Sequence, residues 1–191
     1  MTRSGKSPVT LSGYQVTLRD IAREDLEMIR RWRNDPDTRQ HMLSQETISP
    51  EQQNAWFDRL QLDPSQRQWL ILYREKPIGV AYIKTVDDGE TLEQPTRVEP
   101  ALYIADLHYR GNILAFAPTL LVNDYCFEQL GAKELQATVK VSNEAALRYN
   151  EKLGYREIER QADLVRIALR PEDYEVSAAP IKAFLSRTGR R

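Results

Sequence analysis

The spacing of apolar positions changes several times along the chain, and each change marks an element. "YQVTLRDI" (14–21) alternates apolar and polar residues and predicts a strand. In "REDLEMIRRWRND" (23–35) the period lengthens: Leu26, Ile29 and Trp32 fall at helical spacing, and the helix should stop before Pro36. "SPEQQNAWFDRL" (49–60) predicts a second helix with Ser49 as cap, Pro50 in the first turn and Gln52 closing a capping box. Its Ala55, Trp56 and Leu60 share a face. Three strands follow, "QWLILY", "PIGVAYIKTV" and "PALYIADL", with a turn at "EKPIG" and a polar loop at "DDGETLEQPTR". An apolar helix over about 116–130 ends at Gly131, "LQATVKV" is a strand, and "NEAALRYNEKLGY" is a helix capped by Asn143 and stopped by Gly154. "VRIALR" closes the order. Residues 1–13 read as a loose Ser/Thr/Gly/Pro-rich segment, 14–174 as one folded domain, and 175–191 as a polar, basic tail. Helices interleaved with a meander of strands predict an α/β layered domain around a mixed sheet.

Composition narrows the function classes. A net charge of −1 with 29% charged residues of both signs argues against a general nucleic-acid or membrane-surface binder. The single cysteine, Cys126, allows no internal disulfide and lies in an apolar run, so it is expected in the core. The start "MTRSGKSPVTLSG" is polar, unlike a signal peptide, and no apolar run is long enough to span a bilayer; a soluble, cytoplasmic protein is expected. Two histidines, His41 and His108, with no Cys or carboxylate at ligand spacing, predict no metal site.

The chemistry gathers around "LHYRGNILAFAPTLL", where Arg110-Gly111 stands at the mouth of the long apolar helix. Helix starts carry free N–H groups and the positive end of the peptide dipoles, so this is a natural place for an anion. Together with "WRND", "TISPEQQNAWF" and "NEAALRYNEKLGY", the segment resembles the GNAT acyltransferases over about residues 15–170. The N-terminal third is similar to the amino-sugar N-acetyltransferases of pseudaminic acid synthesis and to the ribosomal-protein alanine acetyltransferases. The resemblance implies the GNAT fold: a mixed, mostly antiparallel twisted sheet of about six to seven strands flanked by about four helices and splayed between the fourth and fifth strands.

It also implies acetyl-CoA as co-substrate, no metal, and a primary amine as acceptor, in a monomer or homodimer. Arg110, Gly111, Asn112, Ile113, Leu114 and Ala115 align with the pyrophosphate loop, with Ile113 where the family has its central glycine. Ala105 to Leu107 would give main-chain hydrogen bonds to the pantetheine arm, and Asn143 would contact it. The family's tyrosine acid falls at Asn150, whose amide can donate a hydrogen bond but not a proton; Tyr149 is the neighbouring candidate acid, or a packing residue. Glu99 is the candidate base, with Tyr103 of the same strand parity beside it. Trp32, Arg33, Arg39, Met42 and Trp56 would form the acceptor side, where aromatic rings and arginines suit a nucleotide-linked amino sugar. Gln53 replaces the histidine that the amino-sugar branch carries before Trp56. A peptide N-terminal acetyltransferase and a noncatalytic CoA-binding module stay open beside the sugar reading.

Overall fold

The computed structural model describes residues 6–187. Its strands are β1 (Leu11–Gly13), β2 (Val16–Asp20), β3 (Gln66–Tyr73), β4 (Lys76–Thr85), β5 (Arg97–Ile104), β6 (Glu134–Lys140), β7 (Arg156–Gln161) and β8 (Leu164–Leu169). Its helices are α1 (Leu26–Asn34), α2 (Pro36–Arg39), α3 (Pro50–Leu62), α4 (Phe116–Asp124), α5 (Glu144–Lys152) and α6 (Pro171–Arg187), with α4 running on through a π-helical turn, Tyr125–Gln129. The strands form one sheet in the order β1-β2-β3-β4-β5-β6-β8-β7, antiparallel except for β5 and β6. This is the GNAT fold.

Local chemistry sets most boundaries where the sequence puts them. Ser49 accepts from the Gln52 N–H while the Gln52 side chain accepts from the Ser49 N–H, which closes the predicted box at the start of α3. Asn143 caps α5 by accepting from the Ala146 N–H at 3.1 Å. α1 ends at Asn34, and Asp35 is extended before Pro36. The β1–β2 and β3–β4 hairpins turn through Tyr14–Gln15 and Arg74–Glu75, all with positive φ, as type I′ turns require.

Four elements escaped the pattern. β1 lies inside the segment read as loose, and β7, with its nearly all-polar "REIERQ", is an exposed edge strand. α2 is a single turn started by the Asp35 carboxylate. The largest correction is at the C-terminus: the domain does not end at 174, because α6 runs to Arg187 and buries Tyr174, Ala178 and Leu185. Its acidic start and Pro180 mask the apolar positions Tyr174, Ala178, Ile181 and Leu185, which pack at helical spacing, so the stretch reads as a tail.

Side chains alternate across the sheet. One face carries Trp69, Ile71, Ala81, Ile83 and Val98, all fully buried in the larger core with Leu120 of α4 and Leu185 of α6. Cys126 is buried in that core, and burial pushes its thiol pKa up, leaving it inert as expected. The other face carries Leu70 and Val80 under Ile29 of α1 and Phe57 of α3, with Trp32, Trp56 and Tyr103 packed at the edge. No helix among the described residues is long and apolar enough to cross a membrane.

The decisive feature is the β5–β6 pair, which is in register only at Arg97↔Glu134 and Val98↔Leu135. The main-chain groups of odd-numbered β5 residues face β4: the Arg97 carbonyl accepts from Val86, and the Ala105 N–H donates to the Ile78 carbonyl. Even-numbered residues therefore face β6, and the first one past the paired region is Pro100. Proline has no N–H to continue a ladder. The strands part there, which places the splay where the resemblance predicts it.

Asp124 ties three distant segments together. Its carboxylate accepts from Tyr14 at 2.8 Å, Tyr174 at 2.7 Å and Lys182 at 2.6 Å, joining the first hairpin, α4 and α6. Asp124→Ala should lower the unfolding free energy by about 3 kcal/mol, measured by urea denaturation, since it strands two phenols and an ammonium in a partly buried site.

Candidate active site

A cleft of about 670 Å³ opens over the β5–β6 separation, between the two strands below and α1, α3 and the irregular segment 40–48 above. Of the predicted site residues it brings together Arg33, Met42, Trp56, Glu99, Tyr103 and Asn143. Trp32 instead packs on the smaller core, and Arg39 does not line the cleft. Tyr82, Gln53, His41 and Lys140 line it as well.

Glu99 and Tyr103 share the wall because both side chains leave β5 on the α1–α3 face. Glu99 pairs across the sheet with Lys84, whose ammonium is 3.3 Å from the carboxylate. Tyr82 joins them from β4, opposite Ala101. Burial raises the Tyr103 and Tyr82 pKa values, so both phenols remain O–H donors through neutral pH. Sequence reasoning missed Tyr82 because it sits in the uninterrupted run "IGVAYI", which reads as core; only its register opposite Ala101 places it in the cleft.

The cradle lies past the end of β5. Gly111 has φ +74°, and a Cβ there would meet no atom within 4 Å. Within the loop the hydrogen bonds begin further on: Leu114 N–H donates to the Asn112 side chain and Ala115 N–H to the Asn112 carbonyl. The N–H groups of Gly111, Asn112 and Ile113 find no acceptor among the described residues. Ile113 is 42% exposed and so does not close the loop. Open backbone, free donors and the start of α4 fit a diphosphate such as that of CoA.

Four predicted contributors do other work. Arg110 turns inward, its Nε donating to the Ile104 carbonyl at 2.6 Å and its Nη2 to the buried Thr38 hydroxyl at 2.9 Å, so it joins the end of β5 to α2. The Tyr149 hydroxyl donates to the Ala115 carbonyl at 3.0 Å and bonds with Thr119, while its ring stacks on Phe116. It therefore fastens α5 to the start of α4, as the packing reading has it. Asn150 spends its amide on the Ala146 carbonyl. The Ala105 N–H, expected to face the pantetheine arm, is bonded to Ile78 instead; the Ile104 carbonyl is the group on the open edge, as its bond to Arg110 shows. Leu107 lies in an exposed 3₁₀ turn, and His108 is an exposed partner of Asp106 at 3.0 Å.

A split sheet with an anion cradle at one end of the split and a polar cleft at the other defines an acyl-transfer scaffold. A family model for the acetyltransferase (GNAT) domain matches residues 15–156, and the chain belongs to this family of acetyltransferases. No curated protein matches it. Among solved structures it is similar to the N-acetyltransferase PseH of Campylobacter jejuni (19% identity, TM-score 0.63, covering 82% of this chain and 99% of that one). It is also similar to the aminoglycoside acetyltransferase AAC(6')-Ib in complex with coenzyme A (20%, TM-score 0.71, 84% and 98%). The spermidine N-acetyltransferase of Vibrio cholerae, in complex with CoA and spermine, superposes with TM-score 0.72 at 20% identity, over 85% and 99%. At these identities the likeness carries the fold.

Gly111→Val should weaken CoA binding at least tenfold by calorimetry and lower the unfolding free energy by about 1–3 kcal/mol in urea denaturation. A branched side chain at positive φ costs on the order of 1–3 kcal/mol locally and crowds the cradle.

Proposed function

We propose that this chain is an acetyl-CoA-dependent N-acetyltransferase that acetylates the primary amine of a small-molecule acceptor by direct transfer. The observation that carries the reading is the continuity of cradle, β5 edge and cleft. An extended ligand anchored by phosphates at Gly111–Ile113 can lay its far end beside Glu99 and Tyr103. Acetyl-CoA supplies the activated acetyl group as a thioester. The acceptor nitrogen attacks the acetyl carbonyl, forming the C–N bond as the C–S bond breaks. Glu99 takes the ammonium proton, directly or through a water, with Lys84 holding its carboxylate at the strand edge. With Tyr149 committed to Ala115 and Asn150 unable to supply a proton, the second proton, lost by the nitrogen as the amide forms, passes through water to the departing thiolate.

A nucleotide-linked amino sugar is the acceptor we favour. Trp56 offers an apolar surface and Arg33 a cation on the acceptor side of the cleft. Thiol release from acetyl-CoA should appear with amino sugars or their nucleotide conjugates and not with peptides bearing a free N-terminal alanine; acetylation of the peptide alone would shift the acceptor to protein. Glu99→Gln should lower kcat about 10²-fold with CoA affinity retained. Undiminished turnover in that variant would remove Glu99 as base. An absence of CoA binding by calorimetry would remove the enzymatic reading altogether.

A further inference from the structure

Arg33 leaves α1 into the cleft and forms no salt bridge among the described residues. Its Nη2 donates to the Ser44 carbonyl at 2.9 Å, yet Nη1 is closed off from solvent and has no hydrogen-bond partner among the described residues. No carboxylate pairs with it there, and the titratable groups that bear on it are Tyr103, Tyr82 and Arg39. Burial lowers the Arg33 pKa. Neither phenol has a hydrogen-bond partner among the described residues. One guanidinium nitrogen and two phenols thus offer donors without an acceptor to one cleft, whose wall also carries the Glu46 and Glu99 carboxylates. A half-buried cation with one nitrogen shielded from water and no counter-ion carries a desolvation cost, and a guanidinium fork is shaped for a planar carboxylate or a phosphate. The covering segment between Arg39 and Ile48 is irregular and is tied to α1 through Ser44 and Ile48, so an incoming anion competes with the Ser44 carbonyl for the same guanidinium.

We infer that Arg33, with the hydroxyls of Tyr82 and Tyr103, anchors an anionic group of the acceptor, so that the substrate is an amine that also carries a carboxylate or a phosphate. This rests on the acetyltransferase reading for the amine but not for the anion. A cation half-buried for structural reasons alone would be expected to bring its own acid; this one leaves that place to the ligand.

The test separates the two. The Arg33 side-chain N–H resonances are followed by NMR while the intact protein is titrated with inorganic phosphate and, in parallel, with acetate. Binding of glucosamine 6-phosphate against glucosamine, and of leucine against leucinamide, is then measured by calorimetry. The Arg33 signals should shift saturably with at least one anion, and the anionic member of at least one pair should bind tenfold or more tightly than its neutral partner. The phosphate pair responding alone assigns a phosphorylated acceptor; the amino-acid pair alone assigns a carboxylate. Arg33→Met should erase the preference without lowering the melting temperature of the free protein, and Arg33→Lys, which keeps charge but loses the fork, should retain part of it. Arg33 signals indifferent to both anions, or equal binding within both pairs, overturn the inference. Anion binding without acetylation of any amine leaves the anchor standing and removes the enzymatic reading instead.

Discussion

Pro100 sets the geometry on which the rest of the site depends. A parallel pair needs each inward-facing N–H to find a carbonyl on its neighbour, and Pro100, the next β5 residue after Val98 to face β6, has no N–H to offer. Once the ladder stops, the natural twist of neighbouring strands carries them apart. The same residue that ends the ladder therefore opens the cleft. It also leaves the even-numbered main-chain groups of β5 facing space, which is expensive unless something satisfies them.

The protein meets part of that demand itself. Arg110 reaches back from the cradle loop to hold the Ile104 carbonyl, and the same guanidinium reaches Thr38 of α2. On the other edge, the register shift between Ile71 and Leu72 lets the Ile78 carbonyl accept from both Ala105 and Asp106. Gly79 next to it lies so close to β5 that a Cβ would fall 2.2 Å from the Tyr103 carbonyl. These contacts fix the open strand from behind and at its tip. What they leave unsatisfied is the stretch between, where an extended ligand with its own amides would complete a strand-like pairing.

The sequence carried the helices with chemical punctuation most clearly. Ser49-Pro50-Gln52 and Asn143 act as written because a cap is a local event, decided by residues three apart. α6 and β7 were illegible for the opposite reason: their stability comes from distant partners. α6 is held by Tyr174 and Lys182 on Asp124, and β7 by its register with β8. The site was legible in the same uneven way. Glu99 and Tyr103 follow from strand parity, whereas Tyr82 needs the β4–β5 register and the inward turn of Arg110 needs the position of Thr38. No periodicity contains either one.

Two departures from the family pattern have different weight because the halves of the site are built differently. The donor half is main chain: Gly111 provides the positive φ, the N–H groups face outward, and Ile113 exposes its side chain without altering them. A change of side chain there leaves the binding groups in place. The cleft is side chain: Arg33, Trp56, Tyr82 and Tyr103 line it, and Gln53 is buried beside them at 5% exposure. A glutamine amide there cannot titrate as a histidine would, but it both donates and accepts hydrogen bonds. Ile113 is thus compatible with the family's cofactor, while Gln53 places an amide, and not an imidazole, in the wall of the cleft.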